Sequence, residues 1–136
     1  PLYIASQKGD VNIVHTLLTR DDIDVNKAES RGATPLYEAS QSGHFNIVEA
    51  LLTRDDINVN QPREDGCNSL IMASHQGHVE VVRLLLSQPD IDLNIKSFDK
   101  SALGWAIDQK HNDIVQLLIE AGATMSTPFS LEAKIK

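Results

Sequence analysis

The sequence predicts an all-α repeat solenoid of stacked helix-turn-helix units joined by hairpin loops. Three observations indicate this fold class: one block recurs every 33 or 34 residues, each copy carries apolar positions spaced for two short helices, and polar turn-forming segments separate the copies. A unit of this size cannot bury its apolar stripes alone, but stacked units bury them against each other. We therefore expect the 136 residues to form layers of a stack.

Four copies of the recurring block lie along the chain. They begin at Pro1, Pro35, Ser69 and Ala102, at separations of 34, 34 and 33 residues. Because the sequence opens on a proline with no methionine, we expect it to be a fragment of a larger protein. The predicted segments are repeat 1 at 1–25, lacking its N-terminal hairpin, repeat 2 at 26–59, repeat 3 at 60–93, repeat 4 at 94–126, and a capping segment or linker at 127–136.

The first helices of the second and third units have a capping signal at the start and a glycine breaker at the end. Thr34 is a good N-cap because its oxygen can accept a bond from an unpaired backbone N–H, and Pro35 suits the first helical position. Asn68 and Ser101 take the same capping position in the next two units. Gly43 ends this helix after about two turns.

The second helix of each unit is amphipathic. In repeat 3, Val79, Val82 and Leu86 return at spacings of three and four, which places them on one helical face. That face has to pack against a core. The second helices are expected to start near Asp10, His44, His78 and Asn112.

Polar loops of hairpin length connect the units. Gly32 and Gly66 permit a positive φ near the tips of two of them. The last loop, 96–100, is one residue shorter and lacks the glycine, so we expect its tip to differ in shape. Residues 129–134 are interpreted as a capping helical turn or the entry to a further domain.

Composition and charge exclude several functions. With 19 acidic against 12 basic residues the net charge is -7, whereas phosphate binding needs a basic surface. We therefore expect no nucleic-acid partner, and a charged partner should be basic. The single cysteine allows no intramolecular disulfide, which predicts a cytoplasmic or otherwise intracellular location. No apolar run approaches the roughly 20 residues of a membrane span, so no membrane insertion is expected.

The stretch 33–44 points to a family. It reads Ala-Thr-Pro-Leu-Tyr-Glu-Ala-Ser-Gln-Ser-Gly-His, is followed by Ile47-Val48 and Leu51-Leu52, and closely resembles the ankyrin repeat. Tetratricopeptide repeats share the period, but the long turn-rich connections argue against them. The resemblance covers residues 1–126 and implies a non-catalytic scaffold for protein–protein interaction with no cofactor.

No set of residues predicts catalysis or metal binding. His44, His78 and His111 share one repeat position, so stacking spreads them about 10 Å apart instead of bringing them together. The resemblance implies that this Gly-His position is structural. A thiolate pair of Cys67 and His75 is conceivable, but no orienting or oxyanion motif accompanies it, and a surface contact role is favoured for the cysteine. We expect no enzyme activity and no metal.

Turn chemistry is the favoured explanation of the polar loop residues. Seven aspartates recur after the second helices and would form an acidic edge, where bonds to the local backbone are favoured over calcium binding. The resemblance also implies that Asn26 and, less closely, Asn60 are candidates for asparagine hydroxylation. A turn residue bonding its own backbone is favoured there as well.

The resemblance implies a binding surface on the concave face, formed by hairpin tips and by first-helix residues just before Gly-His. Arg31, Phe98 and Trp105 stand out because large aromatic and arginine side chains carry most binding energy. For Phe98, contact with a partner and local packing are equally favoured interpretations. Trp105 shares its helical position with Glu38, and we expect this position to be partly exposed because a carboxylate would not be buried unpaired. The indole is therefore a candidate anchor for a partner, although packing in the core is slightly favoured. The predicted set is Gln7, Lys8, Ser30, Arg31, Ala33, Gln41, Ser42, Glu64, Asp65, Cys67, His75, Gln76, Phe98, Lys100, Trp105, Asp108 and Gln109.

Two other functions stay open beside a scaffold that binds a partner protein as a monomeric segment. The stack could be the regulatory or targeting arm of a larger multidomain signalling or effector enzyme. It could also be a structural spacer or self-association unit, because end units without polar caps would be exposed.

Overall fold

The computed structural model describes residues 1–124, and over that range eight α-helices follow one another in pairs. This arrangement confirms the predicted all-α repeat solenoid. The predicted terminal turn at 129–134 lies outside the described residues. The helices are α1 (Leu2–Lys8), α2 (Val11–Leu18), α3 (Pro35–Ser42), α4 (Phe45–Leu52), α5 (Ser69–Gln76), α6 (Val79–Leu86), α7 (Ala102–Asp108) and α8 (Asn112–Glu120).

The helices stack in two rows. The first helices α1, α3, α5 and α7 pack on one another in order, and the second helices α2, α4, α6 and α8 do the same. The core lies between the rows and includes Leu36, Leu70 and Leu103 of the first helices and Val48 and Val82 of the second helices, all at most 2% exposed. Between residues 1 and 124, none of the helices is long and apolar enough to cross a membrane.

The predicted N-caps form. Thr34 Oγ1 accepts a bond from the Tyr37 amide at 3.1 Å, and Asn68 Oδ1 accepts one from Ile71 at 3.0 Å. Ser101 Oγ accepts a longer bond of 3.4 Å in the fourth unit. These bonds satisfy donors that a helix start leaves free, so each first helix begins at a defined residue.

A histidine joins each unit to the one before it. His78 Nε2 lies 2.9 Å from the Gln41 carbonyl oxygen, and His44 and His111 repeat this contact at 3.2 and 3.0 Å. The imidazole of His78 also packs on Gly43, where an added Cβ would lie 2.7 Å from Nδ1. The histidine at this repeated position therefore has a structural role, since it bonds one layer to the next.

A ladder of asparagines forms a second link. Asn26 Nδ2 donates to the Asp56 carbonyl at 2.8 Å, and its Oδ1 accepts from the Asn58 amide at 2.8 Å. Asn60 makes the equivalent pair one unit later, at 2.7 and 2.8 Å. The expected bond to the residue's own backbone is wrong here, because stacking brings the loop that follows the next helix pair within reach.

The hairpins have two shapes. Those at 29–33 and 63–67 close over three residues, the third of which is a glycine with positive φ. The hairpin at 97–100 closes over only two residues, Phe98 with φ 52° and Asp99 with φ 65°, which gives it the primed turn of a two-residue β-hairpin. The predicted difference in the last tip is thus present, with no glycine to relieve its backbone.

Candidate protein-binding face

We call the surface formed by the hairpins at 29–33, 63–67 and 97–100 and the adjoining sides of the first helices the hairpin face. The predicted site residues are exposed to different degrees. Ten are exposed: Gln7, Lys8, Ser30, Arg31, Ser42, Glu64, Gln76, Phe98, Asp108 and Gln109. Five are half-buried: Gln41, Asp65, His75, Lys100 and Trp105.

Two predicted contact residues, Ala33 and Cys67, are buried, so their assignment as surface contacts is wrong. They are 2% and 5% exposed, because the chain turns into the core where each hairpin returns to its helix. The Cys67 thiol lies 3.9 Å from the Tyr37 hydroxyl and 3.8 Å from the Asn68 carbonyl oxygen. Burial raises the pKa of this thiol, which disfavours the thiolate that a Cys67–His75 pair would need.

A small pocket opens between α5, α7 and the last hairpin. Its volume is about 110 Å³, and apolar side chains form most of its wall. Five of the predicted site residues meet here, although they come from two repeats. The lining residues are Asp65, Cys67, Ile71, Met72, His75, Ser97, Phe98 and Trp105.

Trp105 forms one wall of this pocket and is held in place by three contacts. Its indole N–H donates to the Ser97 carbonyl at 3.2 Å, and its ring meets His75 edge-on at 5.1 Å between centroids. The Lys100 ammonium lies 4.8 Å from the indole centroid and pairs with Asp108. The half-buried indole therefore combines a fixed orientation with an accessible face, as the prediction of a partly solvent-facing position requires.

Phe98 forms the rim of the pocket. It is 75% exposed, so little of its surface is used in local packing. It also adopts a positive φ of 52°, which is unusual for a bulky residue and costs about 1–2 kcal/mol. The last hairpin thus presents a large apolar side chain to solvent on a strained backbone.

Arg63 is a residue of this face that the sequence reasoning missed. Its guanidinium bonds both Asp65 carboxylate oxygens, at 2.5 and 3.4 Å, and lies 4.9 Å from the centroid of the Tyr37 ring. The hydrogen bond from Arg63 holds the pKa of Asp65 below its usual value, and that carboxylate also accepts the Cys67 amide at 3.0 Å. The spacing Arg-x-Asp inside a short hairpin was the available signal for this pair.

Glu38 departs from the expectation that its position is partly exposed, since it is only 7% exposed. Its carboxylate accepts bonds from the Tyr3 hydroxyl at 3.0 Å and from the Gln7 amide at 3.4 Å. Burial, together with the bond to Glu38, raises the pKa of Tyr3. The equivalent residues Met72 and Trp105 are half-buried, so the expectation fails only where two neutral donors enclose a carboxylate.

The acidic edge is formed by turns. Asp24 Oδ1 accepts the amide of Asn26 at 3.0 Å, and Arg54 pairs with Asp56 at 3.0 Å. Among residues 1–124, no group of three or more His, Cys, Asp or Glu side chains lies together in a way that could hold a metal ion. The carboxylates of Asp22, Asp24, Asp56 and Asp92 thus make local bonds.

Comparison with known proteins identifies the family. A family model described as ankyrin repeats (three copies) matches residues 1–63 and, overlapping them, 54–128. A comparison with curated proteins finds no match. Ankyrin repeats generally mediate protein–protein interaction and are typically non-catalytic. The two matched ranges together cover nearly the whole sequence, and the chain belongs to the ankyrin repeat family.

Proposed function

We propose that this chain is a non-catalytic scaffold that binds a partner protein through the hairpin face, with the pocket beside Trp105 at the centre of the contact. The observation that carries this proposal is the pairing of an oriented, half-buried indole with the 75%-exposed ring of Phe98 around an apolar pocket. Binding energy concentrates in a few aromatic and arginine side chains that a partner can desolvate fully.

Rigidity of this face supports the same proposal. The hairpins are bonded to each other, by the Glu64 amide to the Arg31 carbonyl at 2.9 Å and by the Ser97 hydroxyl to the Asp65 carbonyl at 2.9 Å. A partner therefore meets a surface whose backbone is already ordered, and little conformational entropy is lost on docking. The net charge of -7 favours a basic partner by long-range attraction.

Exposed apolar side chains on the second helices offer a weaker alternative. Ile13, Phe45 and Ile119 are 50%, 36% and 51% exposed, but they lie on three different helices. Single exposed apolar residues are normal on a protein surface, whereas an apolar pocket lined by two aromatic rings is less common. The hairpin face is therefore the favoured interface.

A displayed library of protein fragments from the source organism tests this assignment. Fragments selected on the wild-type chain should bind Trp105→Ala and Phe98→Asp at least about thirtyfold more weakly, as expected for residues at the centre of an interface. Phe45→Ala and Ile119→Ser serve as matched controls on the second helices and should leave binding unchanged. Selected fragments that bind the two hairpin-face variants as tightly as the wild type would overturn the assignment.

We also propose an intracellular location and a monomeric state for this segment. A free, buried thiol at Cys67 supports the location, since it needs no oxidising environment. Sedimentation at high concentration tests the monomeric state, and a pocket-dependent dimer would favour the self-association unit instead.

A further inference from the structure

We propose that the hairpin face recognises an extended peptide segment that carries a basic side chain and a bulky apolar side chain four or five residues apart. The basic residue would bind Glu38, and the apolar residue would enter the pocket beside Trp105. This inference rests on the proposed function and names the chemistry of the partner.

The anionic end of the site is the carboxylate of Glu38. Among the described residues, no Lys, Arg or His nitrogen lies within 4.0 Å of it, and its two hydrogen-bond donors, on Tyr3 and Gln7, are neutral. A carboxylate that is 7% exposed and lacks a cation gains more from a positive partner than a solvated one does. A basic side chain of the partner would give the buried Glu38 carboxylate the cation that it lacks.

The weaker of these two donors, Gln7, lies where a basic side chain can reach the Glu38 carboxylate. Gln7 is exposed, and its amide nitrogen lies 3.4 Å from Oε1 of Glu38, which is long for such a bond. An incoming ammonium or guanidinium can displace this amide and supply a shorter, charge-assisted bond. Nearby Arg63 is already committed to Asp65 through both carboxylate oxygens, so it does not compete for Glu38.

The apolar end is the pocket between α5 and α7. A volume of about 110 Å³ suits one leucine, methionine or phenylalanine side chain, and it is well below the roughly 300 Å³ at which sites for whole small molecules begin. Met72 and Trp105 both line it, and the Lys100 and Asp108 charges beside the indole neutralise each other. A side chain of a larger partner therefore fits better than a free metabolite.

The distance between the two ends sets the spacing in the peptide. Glu38, Met72 and Trp105 occupy equivalent positions on α3, α5 and α7, so they form one row across the stack. Neighbouring helices lie about 10 Å apart, which places the pocket roughly 15 Å from Glu38. An extended chain advances about 3.3 Å per residue, so four or five residues span this distance.

A phage-displayed library of random dodecapeptides tests the inference. Peptides enriched on the wild-type chain should carry Lys or Arg four or five positions from Leu, Met or Phe. Fluorescence polarisation of labelled peptides then measures a double-mutant cycle, in which replacing the basic residue by Ala should weaken binding about tenfold on the wild type but less than about twofold on Glu38→Gln. Glu49→Gln is the matched control, because it removes the same charge from an exposed position on α4.

The outcomes separate this inference from the proposed function. If Trp105→Ala loses binding but the selected peptides show no preference for a basic residue, the inference is overturned and the hairpin face remains the proposed interface. The same holds if the library yields no enriched peptide while protein fragments still bind. A dimer of the chain that requires the pocket would show that a second copy occupies it and would also overturn the inference. Circular dichroism of Glu38→Gln checks that the variant keeps its helices.

Discussion

Replacing Gly43 by alanine tests the bond between layers most directly. Gly43 closes α3 with φ 74° and lies beneath the imidazole of His78. An alanine Cβ would lie 2.7 Å from Nδ1 and 2.8 Å from Cε1 of that ring, distances that real Cβ atoms essentially never show. Because the ring is bonded to the Gln41 carbonyl at 2.9 Å, it cannot move away without losing that bond.

The expected cost of Gly43→Ala has two parts. A left-handed backbone costs an alanine about 1–2 kcal/mol, and forcing an extra methyl group into a packed contact costs about 1–3 kcal/mol more. We therefore expect the free energy of unfolding to fall by about 2–5 kcal/mol. With a urea dependence of about 2 kcal/mol per M, the unfolding midpoint should fall by at least about 1 M.

Urea unfolding followed by circular dichroism and by the fluorescence of the single tryptophan measures this loss. Gly122→Ala is the matched control, because Gly122 has φ 106° but nothing lies within 4 Å of its added Cβ. Its loss should reflect the backbone cost alone, at a φ further from the left-handed helical region than that of Gly43. A larger loss in Gly43→Ala would therefore indicate the clash with His78.

A double-mutant cycle with His78→Ala decides whether the reasoning is right. Removing the imidazole abolishes the clash, so Gly43→Ala should cost only about 1–2 kcal/mol in that background. If Gly43→Ala costs the same with and without His78, the histidine does not restrict this position. The contact would then have no role in fixing the distance between layers.

Three further outcomes are expected elsewhere in the stack. Asn60→Ala should lower the free energy of unfolding by about 1–2 kcal/mol in a urea titration, because Asn60 bonds two backbone groups of the loop that follows the next helix pair. Asn46→Ala, at an exposed position on α4, should change it by less than about 0.5 kcal/mol. The hydrogen bond from Arg63 lowers the pKa of Asp65 from 3.8. The ionised carboxylate therefore stabilises the fold above pH 3.8, and this stabilisation is lost as the pH falls through the lower pKa of the folded state. In melting curves recorded at decreasing pH, the stability difference between wild type and Asp65→Asn should narrow. Burial raises the pKa of Cys67, and mass spectrometry should show its alkylation at about pH 8 to be at least tenfold slower in the native chain than in concentrated urea; equal rates would contradict its burial.

The architecture was predictable because the sequence contains four in-phase copies of the repeat. A cap such as Thr34 depends only on residues within one helical turn, and the positions of the helix-ending glycines repeat with the period. Local chemistry of this kind is visible in a linear sequence. That the last hairpin differs from the others was likewise predictable from the loss of one residue and its glycine, although its two-residue turn was not.

The burial of individual site residues was less predictable. Ala33 and Cys67 carried a signal in their chemistry, since small and thiol side chains are among the most often buried, but their place in a hairpin suggested a surface. Glu38 carried no local signal, because its donor Tyr3 lies 35 residues earlier. Such a pair becomes visible only when the stacking of neighbouring units is known.

The pocket arises where the repeat departs from its own pattern. The hairpins at 29–33 and 63–67 each end their turn on a glycine with positive φ, although Arg31 also has a positive φ, whereas the shortened hairpin has no glycine and places Phe98 and Asp99 in that conformation, with the Phe98 ring exposed. The same hairpin accepts the indole N–H of Trp105 at the Ser97 carbonyl, which orients the other aromatic ring of the pocket. Strain of about 1–2 kcal/mol at a non-glycine residue persists only where the surrounding structure holds it, and here those bonds hold it. The regular positions therefore stabilise the stack, and the irregular fourth unit supplies the pocket at the centre of the proposed interface.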